Sequence, residues 1–302
     1  MNLLLLLAAG VQSGGTISPV ANSAIFGGGN TGAGATNGTQ VYAYGTNAVG
    51  IGSNLGSNRY ALTQASGNST TGLFTNGYNG GTDQYTDLYN YSANTVGPGT
   101  NLGTSLYAGA TIASATVAVI GGGTPGYSAG TMLYTFSGNT VAAGTSLQVA
   151  RYGLAASGNA SLGVFGGGFT GGSSSATDVY TFVGNTDVSG TALSYSAYYL
   201  AACGNGNVAV FGGGTGNVAT TSVYTFTGNA VAAGASLKVG RQQLAAGSNA
   251  TTGVFGGGGG GSAATAVTDV YTFGSNTDVA GTSLKSSIYW MAAVSSVPGW
   301  AT

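Results

Sequence analysis

An apolar pair running into glycines returns along this chain at a nearly constant interval, and no other feature restricts its fold so tightly. It reads Ile25-Phe26-Gly27-Gly28-Gly29, Val119-Ile120-Gly121-Gly122-Gly123, Val164-Phe165-Gly166-Gly167-Gly168, Val210-Phe211-Gly212-Gly213-Gly214 and Val254-Phe255-Gly256-Gly257-Gly258, with a degenerate copy at Leu73-Phe74-Thr75-Asn76-Gly77. The anchor residues 26, 74, 120, 165, 211 and 255 stand 48, 46, 45, 46 and 44 apart. A period in this range marks a supersecondary unit that cannot bury its apolar face alone and stacks on its neighbours. Six units account for nearly the whole chain.

A second motif keeps the same beat: Val41-Tyr42-Ala43-Tyr44, Leu88-Tyr89-Asn90-Tyr91, Leu133-Tyr134-Thr135-Phe136, Val179-Tyr180-Thr181-Phe182, Val223-Tyr224-Thr225-Phe226 and Val270-Tyr271-Thr272-Phe273. Such β-branched and aromatic runs read as strands. An Asn follows each at a fixed offset, at positions 47, 94, 139, 185, 229 and 276. Asn and Gly supply the positive φ of tight hairpins, so each unit turns there. Beyond the turn, a segment such as Gly144-Thr145-Ser146-Leu147 leads to a small-residue strand, Leu154-Ala155-Ala156, then to a Gly158-Asn159 turn and the next glycine motif. No helical period is sustained, and each Gly in a helix interior would cost about 1 kcal/mol. Four short antiparallel strands per unit and six units predict an all-β chain, a six-bladed β-propeller.

Composition narrows the function. The 302 residues include 59 Gly but only 5 Lys or Arg, 6 acidic residues that are all Asp, no His and one Cys. Phosphate-directed nucleic-acid binding needs clustered basic side chains, so no nucleic-acid partner is expected. Zinc, iron–sulfur and haem sites, disulfides and His-dependent catalysis lack their residues, so no metal, cofactor or catalytic residue is assigned and the chain reads as a non-enzyme. Cys203, inside the run Tyr199-Leu200-Ala201-Ala202-Cys203, reads as a small buried hydrophobe. Carboxylate chemistry would fall to Asp83 and Asp87, which read better as ordinary aspartates. The glycines lack the following helix and Lys of a phosphate loop. The sequons at Asn37, Asn68, Asn90, Asn159 and Asn249 read as turns. A surface with so little charge favours self-association or incorporation into a larger particle.

These units resemble kelch repeats: an optional Arg, a small-residue strand, an apolar strand ending in glycines, a variable loop, then a strand carrying Tyr. The resemblance spans residues 16 to 296. It departs from the kelch pattern where Val141 and Val231 stand in place of the Trp after the Tyr strand. Galactose oxidase, an enzyme on a kelch-like propeller, relies on copper with His ligands, which this chain lacks. The Gly, Ser, Thr and Asn bias is also similar to kelch-like proteins of bacteriophage tails, fibres and particle surfaces. That resemblance implies a virion component, partnered by other virion proteins or by itself, acting in assembly or host attachment. The alternative it leaves open is a secreted or cell-surface propeller that binds a host glycan.

Three expectations concern particular residues. Residues 1–15 form an apolar arm too short to span a bilayer, residues 16–296 the propeller, and 297–302 a tail. Ring closure is expected from Tyr289 to Ser296, completing the blade begun by Ala21 to Leu55, with Leu3 to Val11 as the rival. Asp87, Asp178 and Asp269 are spaced 91 and 91, and Arg59, Arg151 and Arg241 are spaced 92 and 90, so blades alternate in pairs. Two readings follow for these six charges: satisfaction at blade edges after duplication of a blade pair, or a pseudo-threefold face for a trimeric partner. Tyr78, Tyr85 and Tyr127, in variable loops after the glycines, are the candidate ligand-stacking residues.

Overall fold

A computed structural model describes residues 20–260 and 263–300. It holds six four-stranded antiparallel sheets and, among the described residues, no helix, hence none long and apolar enough to cross a membrane. From the axis outward, blade 2 runs Thr63–Gly67, Thr71–Tyr78, Thr82–Asn90, Thr95–Pro98, and blade 3 runs Ala110–Ala113, Val117–Gly121, Thr131–Thr135, Thr140–Ala143. Blade 4 holds Ala155–Gly158, Leu162–Gly166, Thr177–Thr181 and Thr186–Ser189, and blade 5 Ala201–Gly204, Val208–Gly212, Thr221–Thr225 and Ala230–Ala233. Blade 6 is Ala245–Ser248, Thr252–Gly256, Thr268–Thr272 and Thr277–Ala280. Blade 1 takes its inner strand from the far end of the chain: Ala292–Ser295 pairs with Ser23–Gly27, beyond which lie Thr39–Ala43 and Ala48–Ile51. Both chain ends therefore close one blade, by the C-terminal strand as expected. The rival strand, Leu3 to Val11, lies outside the described residues, as does the 1–15 arm.

Glycine and aromatic positions interlock between blades. A side chain on Gly27, Gly121, Gly166, Gly212 or Gly256 would run into Phe74, Phe165, Phe211, Phe255 or Phe26 of the next blade. These rings are at most 1 % exposed, and the bare glycine is what lets them seat. The degenerate blade 2 motif has Thr75 in this place, and the blade after it carries Ile120 instead of Phe. A larger residue on one side is matched by a smaller one on the other. Asn76 and Gly77 then occupy the left-handed backbone conformations, φ 54° and 132°, that consecutive glycines hold in the other blades.

The Asn of every outer turn has a second role beyond its positive φ. Its side-chain oxygen accepts the N–H of a residue leaving the previous blade: Ser53 to Asn94, Thr100 to Asn139, Thr145 to Asn185, Thr191 to Asn229, Ala235 to Asn276 and Thr282 to Asn47. In five of these turns the buried Tyr of the same blade also donates its hydroxyl to that Asn. Each turn is thus a clamp between neighbours, which is why Tyr and Asn recur together.

Candidate functional site

In each blade the connector from the previous blade and the loop after the glycines lie at one end of the barrel of sheets. This loop face is built on a closed ring. Ala61, Ala108, Gly153, Tyr199, Gln243 and Trp290, one per connector, all have φ between 49° and 63°. Each donates its N–H to the carbonyl of its counterpart one blade back: Ala108 to Ala61, Gly153 to Ala108, Tyr199 to Gly153, Gln243 to Tyr199, Trp290 to Gln243 and Ala61 to Trp290, at 2.7–2.9 Å. Holding a non-glycine residue in the left-handed region costs roughly 1–2 kcal/mol, and the ring bond offsets that strain at each of the five such positions.

The axis inside the ring is plugged. Gln64 reaches from blade 2 across the channel, donating to Leu200 O at 3.0 Å and accepting from Ala156 N at 3.1 Å. Trp290 meets Tyr199 edge-on with ring centroids 4.3 Å apart. A recess of about 30 Å³ remains beside them, and one of about 80 Å³ lies at the opposite mouth, where Pro298, Gly299 and Trp300 sit against the inner strands. Neither is large enough for more than a few waters.

From the plug a run of aromatic rings extends outward over blades 5, 4 and 3. Centroid distances are 4.5 Å for Tyr199 to Tyr198, 5.0 Å for Tyr198 to Phe169, 5.3 Å for Phe169 to Tyr152 and 5.9 Å for Tyr152 to Tyr127. The backbone sets these positions. In each connector the residue two after the Arg59-type position is the ring residue, and the one before it pairs with the residue after the glycines, Tyr152 with Phe169 and Tyr60 with Tyr78. Such directly opposed residues bring their side chains together. A second cluster, Tyr60, Tyr78 and Tyr107, sits on blades 2 and 3. Tyr127 is 51 % exposed and the other rings are half-buried. Burial, then the neighbouring tyrosines, raises the pKa of the Tyr152 and Tyr199 hydroxyls, so they stay neutral.

Of the three tyrosines expected to bind, Tyr78 and Tyr127 belong to these clusters. Tyr85 does not: it is 57 % exposed on the long Thr82–Asn90 strand, where its N–H is bound by Asp83. Sequence reasoning missed Tyr60, Tyr107, Tyr152, Phe169, Tyr198 and Trp290. The signal that marks four of them is a Tyr directly after the Arg59-type position, repeated at residues 60, 107, 152, 198 and 289.

The six charges expected at a pseudo-threefold docking face are inside. Arg59, Arg151 and Arg241 are 0 % exposed, and Asp87, Asp178 and Asp269 no more than 5 %. They form three ion pairs, Arg59 with Asp87, Arg151 with Asp178 and Arg241 with Asp269, and each guanidinium also donates to the carbonyl of the buried Phe74, Phe165 or Phe255. Their threefold spacing is real, yet buried side chains present nothing to a partner, so the docking reading is corrected to an internal one. In blades 4 and 6 a second aspartate backs the first. Burial, and then the charge of Asp178 or Asp269, lifts Asp187 and Asp278 to about 7. Cys203 is 4 % exposed in the blade 5 core, and burial pushes its thiol up. Among the described residues no three His, Cys, Asp or Glu come together as a metal site.

No protein-family model matches this chain, and neither does any curated protein.

Proposed function

We propose that this kelch-like propeller is a non-enzymatic interaction protein whose loop face is its working surface, carried on a bacteriophage particle as a tail, fibre or decoration component. The observation that carries the reading is the run of aromatics from Trp290 to Tyr127 on a face rich in Gly, Ser, Thr and Asn. Tyr and Trp offer large contact areas with few rotatable bonds, a property of binding surfaces rather than of structural skin. With few charges to steer encounter, Asp83, Lys238 and Lys285 among its loops and connectors, association by this face is slow and only weakly dependent on salt, and suits lasting attachment. Among the described residues Gln64, Tyr199 and Trp290 fill the axis, so the face serves as a platform.

The test is mass spectrometry of purified particles, searching for the peptide that begins Met1-Asn2-Leu3. An intact peptide in particles is the expected result. A trimmed N-terminus in the host envelope fraction, with none in particles, would overturn the virion assignment in favour of a secreted adhesive propeller. That second reading draws on the same observation, since aromatic planes among hydroxyls are what a sugar-binding surface needs.

A further inference from the structure

The scaffold repeats, and the aromatic run does not. The residue following the glycines is Asn30, Tyr78, Thr124, Phe169, Thr215 or Gly259, and its connector partner in blade 6 is Gln242. Gln242 and Gly259 exchange the same backbone bonds, 3.1 and 2.8 Å, as Tyr152 and Phe169 do at 3.4 and 2.8 Å. The fold therefore has no need of rings at these positions. Tyr127 is a sharper case: it lies in a blade 3 loop, half exposed, stacked at 15° on Tyr152. Five rings have been gathered on three adjacent blades where the framework accepts Gln and Gly.

The surroundings identify what would sit on them. Residues 124–130, 169–176, 190–200 and 215–220, which build this part of the face, contain no charged residue, and Arg151 at its base is fully buried against Asp178. An anionic or cationic ligand would find no counter-charge there and would be desolvated without compensation. The hydroxyl-bearing side chains of these segments include Thr170, Ser173, Ser174 and Thr215. A ligand matched to flat apolar rings edged by neutral donors and acceptors has an apolar face and a hydroxyl rim, which describes a pyranose. The C–H groups on one side of a sugar ring lie against the electron-rich face of an aromatic ring, while its hydroxyls bond at the edge.

We infer that Tyr127, Tyr152, Phe169 and Tyr198 form a binding subsite for a neutral glycan, the sugar rings lying over Tyr127 and Phe169. The inference rests on the reading of the loop face as the working surface and adds its ligand class. Rings centred 6.0 Å apart in the Tyr127 and Phe169 pair, tilted by 54°, make an open angled shelf that holds consecutive residues of a chain better than a monosaccharide.

The test uses the purified full chain on an array of neutral oligosaccharides of glucose, galactose and N-acetylhexosamines, with sialylated and uronic-acid glycans alongside. Neutral glycans are expected to bind, with affinity unchanged between 50 and 500 mM salt as an approximate range in which screening changes severalfold. Tyr127→Ala and Phe169→Ala are each expected to weaken binding by roughly tenfold or more, in line with loss of a well-placed ring. Tyr85→Ala, outside the cluster, should leave it unchanged and serves as the folded control. Binding to no neutral glycan, or equal loss in the Tyr85 variant, overturns the inference. A second arm measures retention of the wild-type chain and the Tyr127→Ala/Phe169→Ala variant on bacterial envelopes, before and after periodate cleaves sugar diols. Retention lost on both treatments supports the glycan. Retention that survives periodate but not the double substitution overturns the glycan and leaves the loop face standing. Retention indifferent to the double substitution overturns both.

Discussion

Three of the six connectors bury an Arg against an Asp, and the three between them place uncharged side chains there, buried at two junctions and half-buried at the third. Leu106, Ala197 and Ile288 stand where Arg59, Arg151 and Arg241 do, and Met132, Ser222 and Gln40 stand where the aspartates do. The ring bond formed two residues later has the same length at both kinds of junction, 2.7–2.9 Å. Ser222 and Gln40 even accept the connector N–H that Asp87, Asp178 and Asp269 accept elsewhere. At the blade 4 to 5 junction Tyr195 donates to Gly213 O, filling part of the role of the guanidinium. The charges are therefore one of two solutions to a packing problem, and the ring closes alike at both kinds of junction. Burial lowers the Arg151 pKa from its ordinary value, and Asp178 only partly restores it, which is the signature of a pair held against its desolvation cost.

The strongest way to break this comparison is to remove one partner. Arg151→Ala or Asp178→Ala leaves an unpaired buried charge and should lose about 3–5 kcal/mol in urea unfolding. Replacing both with the uncharged pair of the neighbouring junction, Arg151→Leu with Asp178→Met, should recover most of that loss. A double variant as unstable as the singles would show that the junctions are not interchangeable.

On the uncharged side, the blade 2 to 3 junction is the informative one. Ile120→Phe places a large ring against Thr75 and should destabilise by about 1–3 kcal/mol, and adding Thr75→Gly should restore stability by recreating the pairing of the other blades. Thermal melts of the single and double variants decide it. If Thr75→Gly gives no rescue, the matched exchange is coincidence.

The charged junctions should also be sensitive to pH where a second aspartate is present. Asp187 and Asp278 hold their protons up to about 7 in the folded chain, against an ordinary value of 3.8. The folded state thus binds more protons than the unfolded one across that interval, so stability is greatest at its acid end and declines as pH rises toward 7. Blade 2 has Val96 at the equivalent position and takes no part. Asp187→Asn with Asp278→Asn should flatten the profile and raise the Tm at pH 8 by roughly 2–4 °C, about 1 kcal/mol for a chain of this size. A melting temperature that rises with pH over the same range would contradict it.

The smallest effect expected is a gain. Asn76 holds a left-handed backbone that glycine fills in the other blades, and its fully buried amide finds no partner among the described residues. Asn76→Gly should stabilise by about 0.5–1 kcal/mol, measured by denaturant midpoint.

The fold was legible because every structural need recurs six times in linear order. The Gly motif, the Tyr strand and the Asn turn are each local, and closure by residues 289–296 follows from counting. The charges were legible in spacing and misleading in place: Arg151 and Asp178 are 27 residues apart, and nothing in a linear pattern says whether two such side chains face solvent or each other. The aromatic run was hidden for the opposite reason. Tyr152 and Phe169, or Tyr199 and Trp290, become neighbours only when the ring bonds and the connector pairings are drawn, and those bonds are made by backbone atoms that carry no residue signature. Tyr127 was visible because its loop is variable; Tyr152 was not because it looked like repeat.

The hydrogen-bonded circle at the axis has neither a first link nor a last. All six amides point the same way around it, each toward the preceding blade. Blade number is thereby a property of the whole circle rather than of any one blade, since a circle of five or seven members would have to stretch or crowd every link at once. A chain that lengthens or shortens by a pair of blades would keep its alternation of junctions and still lose this circle. What persists is a molecule that counts to six.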